Sequence, residues 1–208
     1  MNYSICVSGA AAGETVKSSH SLAERLGVAI AKSGHMIVTG ATVGLPYFAA
    51  RAAKLAGGIS IGFSPADSLR EHMYKYRLPL GVYDFVSFTG MHYVGRDVFL
   101  IQSCDAVITV GGRFGSLHEF TTAFEKGKPC GILLGSGGTA DILPDLLERI
   151  KERPKGLIIM DDDPERLVKK IVAALDKDLA DVNAKDYAQH WFLEADDHAS
   201  FDTGTHTG

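Results

Sequence analysis

Short apolar runs alternate with longer amphipathic stretches along nearly the whole chain. The runs "YSICVS" (3–8), "HMIVTG" (35–40), "ISIGF" (59–63), "DFVSF" (84–88), "AVITV" (106–110), "CGILLG" (130–135) and "GLIIM" (156–160) are five or six residues long and mostly apolar throughout. Runs of that length without polar alternation are strands covered on both faces. Between them the period changes. Leu22, Leu26, Ala29 and Ile30 recur at helical spacing within 17–33, and Gly34 supplies the stop. A helix over 46–58 opens with Pro46 and closes on glycines, and further helices are predicted over 91–104, 116–126, 140–152 and 164–175. Residues 64–83 are less regular, with a short helix around 66–75 and a loop holding Pro79 and Gly81. "DDDP" (161–164) reads as an N-cap cluster with proline at the first helical position.

Strand-then-helix repetition predicts an α/β fold: a doubly wound, Rossmann-like, mostly parallel sheet of about seven strands with helices on both faces. The sequence contains no internal repeat and no linker, so one domain is expected over 1–193. Residues 194–208 have one aromatic and almost no apolar mass and are expected to form a polar tail, with Trp191 and Phe192 pinning the preceding segment onto the body or a partner subunit. In a parallel sheet the carboxyl ends of all strands share one rim, where ligands bind at the switch in strand order. Four loops fall there: "SGAAAG" (8–13), "TGATVGLP" (39–46), "TGMHYVGR" (89–96, overlapping the helix it leads into) and "GGRFGS" (111–116). Their convergence makes Gly9, Gly40, Gly44, Gly111, Gly112, Arg113, Gly115 and Ser116 candidates for holding a phosphate or nucleotide. Arg113 adds a guanidinium suited to bidentate phosphate contact.

Composition narrows the partner. Twenty-one basic residues against 25 acidic give a net charge of −4 and no basic stripe, so no nucleic-acid partner is expected. No stretch approaches the length of apolar sequence that spans a bilayer, so no membrane partner is expected either. Cys6, Cys104 and Cys130 are odd in number, widely spaced and set in or beside apolar runs; they read as reduced core thiols and place the chain in the cytoplasm. No His/Cys/Asp spacing suggests a metal. The G-x-G-x-x-G fingerprint of dinucleotide redox enzymes and the P-loop lysine are both missing, so no cofactor is expected.

The stretch "TVGGRFGSLHEF" (109–120) carries the most chemistry. Ser116-Leu117-His118-Glu119 has the S-x-x-E form of a capping box, which leaves Leu117, Phe120 and Phe124 as the buried stripe and turns Glu119 away from it. The same glutamate, taken with Arg96 and the glycines, has the makings of a site. These readings are compatible, because a capped carboxylate is well held. His92 and His118 stand near the rim, where each can touch a base or phosphate. Tyr47 and Phe48 offer a stacking surface, though core packing explains them as well.

From "ICVSGA" to about residue 135 the chain resembles the Lonely Guy (LOG) family, often misnamed lysine decarboxylases, whose signature is P-G-G-x-G-T-x-x-E with an arginine upstream. Arg96, Gly112, Gly115 and Glu119 match that signature; Gly111, Arg113, Ser116 and Asp97 depart from it, standing for proline, glycine, threonine and lysine. The departures bring the chain closer to the divergent nucleotide-binding and molybdenum-cofactor-carrier-like branch. The resemblance implies hydrolysis of the N-glycosidic bond of a nucleoside 5′-monophosphate, with a purine favoured, to free base and ribose 5-phosphate. Arg96 and Glu119 would be the catalytic residues. The alternative is a non-catalytic carrier of a nucleotide or of molybdenum cofactor, a pterin, on the same site. A homodimer or larger homo-oligomer is also implied.

Overall fold

The computed structural model describes residues 2–151 and 155–180. Strands and helices alternate strictly: β1 (Ser4–Gly9), α1 (Glu14–Lys32), β2 (Met36–Thr39), α2 (Leu45–Leu55), β3 (Ser60–Ser64), α3 (Leu69–Tyr74), β4 (Phe85–Phe88), α4 (His92–Gln102), β5 (Ala106–Val110), α5 (Phe114–Glu125), β6 (Cys130–Leu133), α6 (Gly138–Ile150), β7 (Ile158–Asp161) and α7 (Pro164–Asp178). The seven strands form one sheet in the order β4-β3-β2-β1-β5-β6-β7, and every neighbouring pair is parallel. The expected doubly wound α/β sheet is what forms.

Chain direction fixes the layers. From β1 the chain winds outward to β2, β3 and β4, then crosses back to β5 and winds the other way to β7. Right-handed crossovers put the helices of the two halves on opposite faces. On one face α4, α5 and α6 bring Leu100, Ile101, Phe120, Ala123, Phe124 and Leu143 onto Cys6, Val107, Cys130 and Ile132. On the other, α1 and α2 approach so closely that a Cβ on Gly27 would lie 2.0 Å from the Ala49 carbonyl oxygen. Pro164 does open α7, behind an Asp163 side chain that accepts the Arg166 amide at 2.9 Å, as the "DDDP" run predicts. All three cysteines are buried and free.

The strand order reverses between β1 and β5, which run in register from Ile5 opposite Ala106 to Gly9 opposite Val110. Their carboxyl ends open the crevice where such sheets bind ligands. Among the described residues no helix is long and apolar enough to cross a membrane. The expected boundary near 193, Trp191, Phe192 and the polar segment 194–208 lie outside the described residues.

Candidate functional site

At the β1/β5 switch point lies an open cavity of about 330 Å³. Its walls come from four segments distant in sequence: Gly9–Ala12 after β1, Gly40 and Thr42 after β2, Tyr93, Arg96 and Asp97 on α4, and Arg113–Ser116 with Glu119 on α5. Of the residues singled out from sequence, this brings together Gly9, Gly40, Arg96, Arg113, Gly115, Ser116 and Glu119.

Arg96 sits on the second turn of α4 and is buried. Its Nη1 donates to the Phe63 carbonyl at 2.7 Å and to the Gly40 carbonyl, and its Nε donates to Asp97 at 3.0 Å. The guanidinium therefore ties α4 to the ends of β2 and β3. A Cβ at position 40 would fall 2.1 Å from Arg96 Nη1, so a larger residue there displaces the guanidinium. Asp97, also buried, accepts from Arg96 through Oδ1 and meets His118 Nδ1 at 3.0 Å through Oδ2.

Glu119 does not cap α5. The helix begins two residues before the predicted 116, with Arg113 as an N-cap that makes no side-chain cap bond, so Ser116 already lies inside the first turn. The buried stripe is Ser116, Glu119, Phe120, Ala123 and Phe124, with Leu117 only partly covered, so Glu119 faces inward. Its carboxyl accepts a hydrogen bond from the Ser8 hydroxyl on β1. Burial pushes this carboxyl up to about 7; the Asp97 charge adds to the rise, while Arg96 and the Ser8 bond oppose it.

The glycines divide by task. Gly111 and Gly112 turn toward α6 and do not line the cavity. The Gly111 amide donates to Ser136 Oγ at 2.7 Å, and the Gly111 and Gly112 carbonyls accept from Ala140 at 2.9 Å and Thr139 at 3.3 Å. The amides left for an anion are those of Phe114, Gly115 and Ser116, because the α5 ladder starts with Leu117 donating to the Arg113 carbonyl at 3.0 Å. Gly44 works from behind: at φ 80° it lets the chain pass the Ala10 carbonyl, which a Cβ would approach to 2.2 Å. Gly44→Ala is expected to destabilise the fold by at least ~1–3 kcal/mol through backbone strain alone, read as a lowered urea midpoint.

His92 stays outside the cavity and pairs with the Tyr76 hydroxyl at 2.6 Å. His118 touches the site only through Asp97. Tyr47 and Phe48 pack against each other, and Phe48 also meets His20 and Arg51, on the α1/α2 side. The aromatics that do line the cavity are Tyr93 and Phe114, the latter 89% exposed. Sequence reading passed over both, along with Ser8 and a site role for Asp97. One signal was available: "GRFGS" sets an aromatic beside an arginine between two glycines, a poor place to find a core residue. Among the described residues no cluster of side chains suits a metal ion.

The family model of the SLOG cluster4 family matches residues 2–168, most of the chain and all of the cavity's walls. The chain belongs to the SLOG cluster4 family. That places it in the LOG and lysine decarboxylase-like superfamily, in agreement with the resemblance read from its motifs. An uncharacterized protein of Archaeoglobus fulgidus is 32% identical over 117 residues, 56% of this chain and 72% of the relative. Among solved structures, the molybdenum cofactor binding protein of Rippkaea orientalis superposes with a TM-score of 0.68 at 25% identity, covering 83% of this chain and 97% of that one. The molybdenum cofactor carrier protein of Chlamydomonas reinhardtii gives 0.68 at 24% identity, covering 84% and 99%. At that identity the second likeness speaks for the fold alone.

Proposed function

We propose that this SLOG cluster4 protein binds a phosphorylated planar heterocycle, a pterin or a purine nucleotide, and holds it without cleaving it. The observation that carries this reading is the make-up of one cavity. The open amides at the start of α5 and the Arg113 guanidinium favour an anion, while Tyr93 and Phe114 on the same walls offer faces for a flat ring. Among the described residues no carboxylate pairs with Arg113. The likeness to the molybdenum cofactor binding protein of Rippkaea orientalis supports the same class of ligand.

Holding is favoured over hydrolysis by the state of the two expected catalytic residues. Arg96 spends its Nε and Nη1 on Asp97 and two backbone carbonyls, so a structural task already occupies it. Glu119 gives up its proton only near neutral pH, and an oxocarbenium-like centre needs a standing negative charge beside it. One observation supports the second reading, N-glycosidic hydrolysis of a nucleoside 5′-monophosphate: a carboxyl pushed up to about 7 is well placed to exchange protons with a substrate.

Self-association fits the same face. The outward side of α4 and the start of α5 present Val94, Val98, Phe99 and Phe114, while the charged Arg96, Asp97 and Glu119 are buried. An exposed apolar surface beside the cavity favours a homodimer or larger homo-oligomer.

AMP and GMP are expected to raise the melting temperature, adenosine and guanosine to do so much less, and Arg113→Ala to weaken the nucleotides by ~10–100-fold, the worth of about one charge-assisted hydrogen bond. Chromatography of the same mixtures is expected to show no free base. Equal shifts for nucleoside and nucleotide would remove phosphate from the reading. Steady base release that Glu119→Gln abolishes would move the protein to the hydrolases.

A further inference from the structure

The floor of the cavity holds one buried cation and two buried carboxyls. Arg96, Asp97 and Glu119 all line it, and each is at most 8% exposed. If both carboxyls are ionised, an incoming phosphate meets an excess of negative charge in a place with little water to screen it. We propose that an anionic ligand enters this crevice together with a proton, which the Glu119–Asp97 pair takes up, and that Asp97 is the positioning residue responsible for the coupling. This rests on the reading that the crevice binds a phosphorylated ligand.

The surroundings leave little else to balance the charge. From β1, Glu119 faces the Ser8 hydroxyl, which only donates to it, and the Cys6 thiol, which the neighbouring Cys104 and then its own burial push up. From α4 it faces Arg96 and Asp97, and on the same cavity wall Tyr93 has its hydroxyl raised by burial. The β1 and β2 loops contribute Gly9, three alanines, Gly40 and Thr42, with no charge among them. Behind the β2 end, Tyr83 is pushed up to about 12 by burial and is no source of charge. Arg113 stands exposed at the mouth, where water screens it.

Asp97 does two things in this arrangement. Its negative charge, on the same buried cavity floor, adds to the rise that burial gives the Glu119 carboxyl. Its Oδ2 meets His118 Nδ1 at 3.0 Å, and the His118 side chain is 40% exposed. His118 is thus where the buried pair communicates with solvent. A ligand anion deepens the need for that proton, because it adds a further negative charge to the same small volume. By linkage, affinity then falls as the proton becomes scarcer. The position is one where the LOG signature has lysine, and a lysine there would favour the ionised Glu119 carboxylate and abolish the uptake.

Titration calorimetry of the full chain with AMP at pH 8, in two buffers of low and high ionisation enthalpy, tests this directly. The wild type is expected to take up close to ~1 proton per AMP, and its affinity to drop by about tenfold per pH unit above neutrality. Glu119→Gln is expected to bind AMP with a flatter pH profile and to lose the protein's share of the uptake. Any protonation of AMP's own phosphate persists in that variant and is thereby subtracted. Asp97→Asn, whose side-chain oxygen can still accept from Arg96, is expected to lose the uptake too, which answers the question if Glu119→Gln fails to fold. Binding with identical heats in both buffers overturns the coupling and leaves the binding reading intact. No binding heat from the wild type at either pH 6 or pH 8 overturns both. An Asp97→Asn variant with wild-type uptake removes Asp97 from the mechanism.

Discussion

Arg96→Ala is expected to cost about 3–5 kcal/mol of stability, the penalty for breaking a buried ion pair and leaving its partner unmatched. The guanidinium is 4% exposed and does three jobs at once: it compensates Asp97, satisfies the Phe63 carbonyl at 2.7 Å, and satisfies the Gly40 carbonyl. Truncation strands two backbone acceptors and leaves Asp97 and Glu119 facing each other without a cation. Arg96→Lys is expected to recover part of the loss, since an ammonium restores the charge but cannot address Asp97 and two carbonyls in one plane. Urea melts at pH 7 measure both. A cost below ~1 kcal/mol for Arg96→Ala, within the range of a screened surface pair, would show that water reaches these groups. Such a result would free Arg96 for a ligand and strengthen the hydrolytic reading. Gly40→Ala supplies an independent check, because its Cβ would fall 2.1 Å from Nη1 and evict the guanidinium without removing it.

This dependence on one arginine also marks where the sequence was readable. Apolar runs such as "AVITV" and "CGILLG" are buried on both faces in a parallel sheet, and that symmetry shows as unbroken hydrophobicity. The carboxyl-end loops had to converge once the strands were parallel, so a crevice at Gly9, Gly40 and Arg113 was legible from topology. The jobs inside it were not. Gly111 and Gly112 look like a phosphate cradle in one dimension, but their carbonyls are committed to the start of α6, twenty-odd residues on. Ser116 and Glu119 have capping-box spacing, yet Glu119 finds a better partner in Ser8, 111 positions away and one strand over. Local spacing cannot reveal a competitor that arrives only with the tertiary fold. Asp97 is the sharpest case, since its place beside Arg96 says nothing about the His118 and Glu119 that α5 brings to it.

Stability is expected to fall as the pH rises from about 5 to 7.5, and Glu119→Gln to abolish that fall. The sign follows from the raised carboxyl. Glu119 releases its proton near 7 in the folded protein, against an ordinary value of 4.5. Between those values the folded state holds a proton that the unfolded chain has lost, so removing protons favours unfolding. The stabilising protonation is complete below the unfolded value and is spent once the pH passes the folded one. The change is on the order of 2–3 kcal/mol, with the folded protein weaker at pH 8 than at pH 5. Glutamine is neutral throughout, and its amide oxygen can still accept from Ser8, so the variant is expected to match the wild type at pH 5 and exceed it at pH 8. The lowered carboxyls do not mask this window. Asp161, held down by Arg166 and Lys170, and Asp84, held down by Lys54, lose their contribution only in acid below the ordinary aspartate value. Chemical denaturation across pH 5 to 8 reads the difference directly. A wild type whose stability stays flat or rises over that range would mean that Glu119 is ionised in the folded state. The crevice would then hold the standing negative charge that glycosidic cleavage requires.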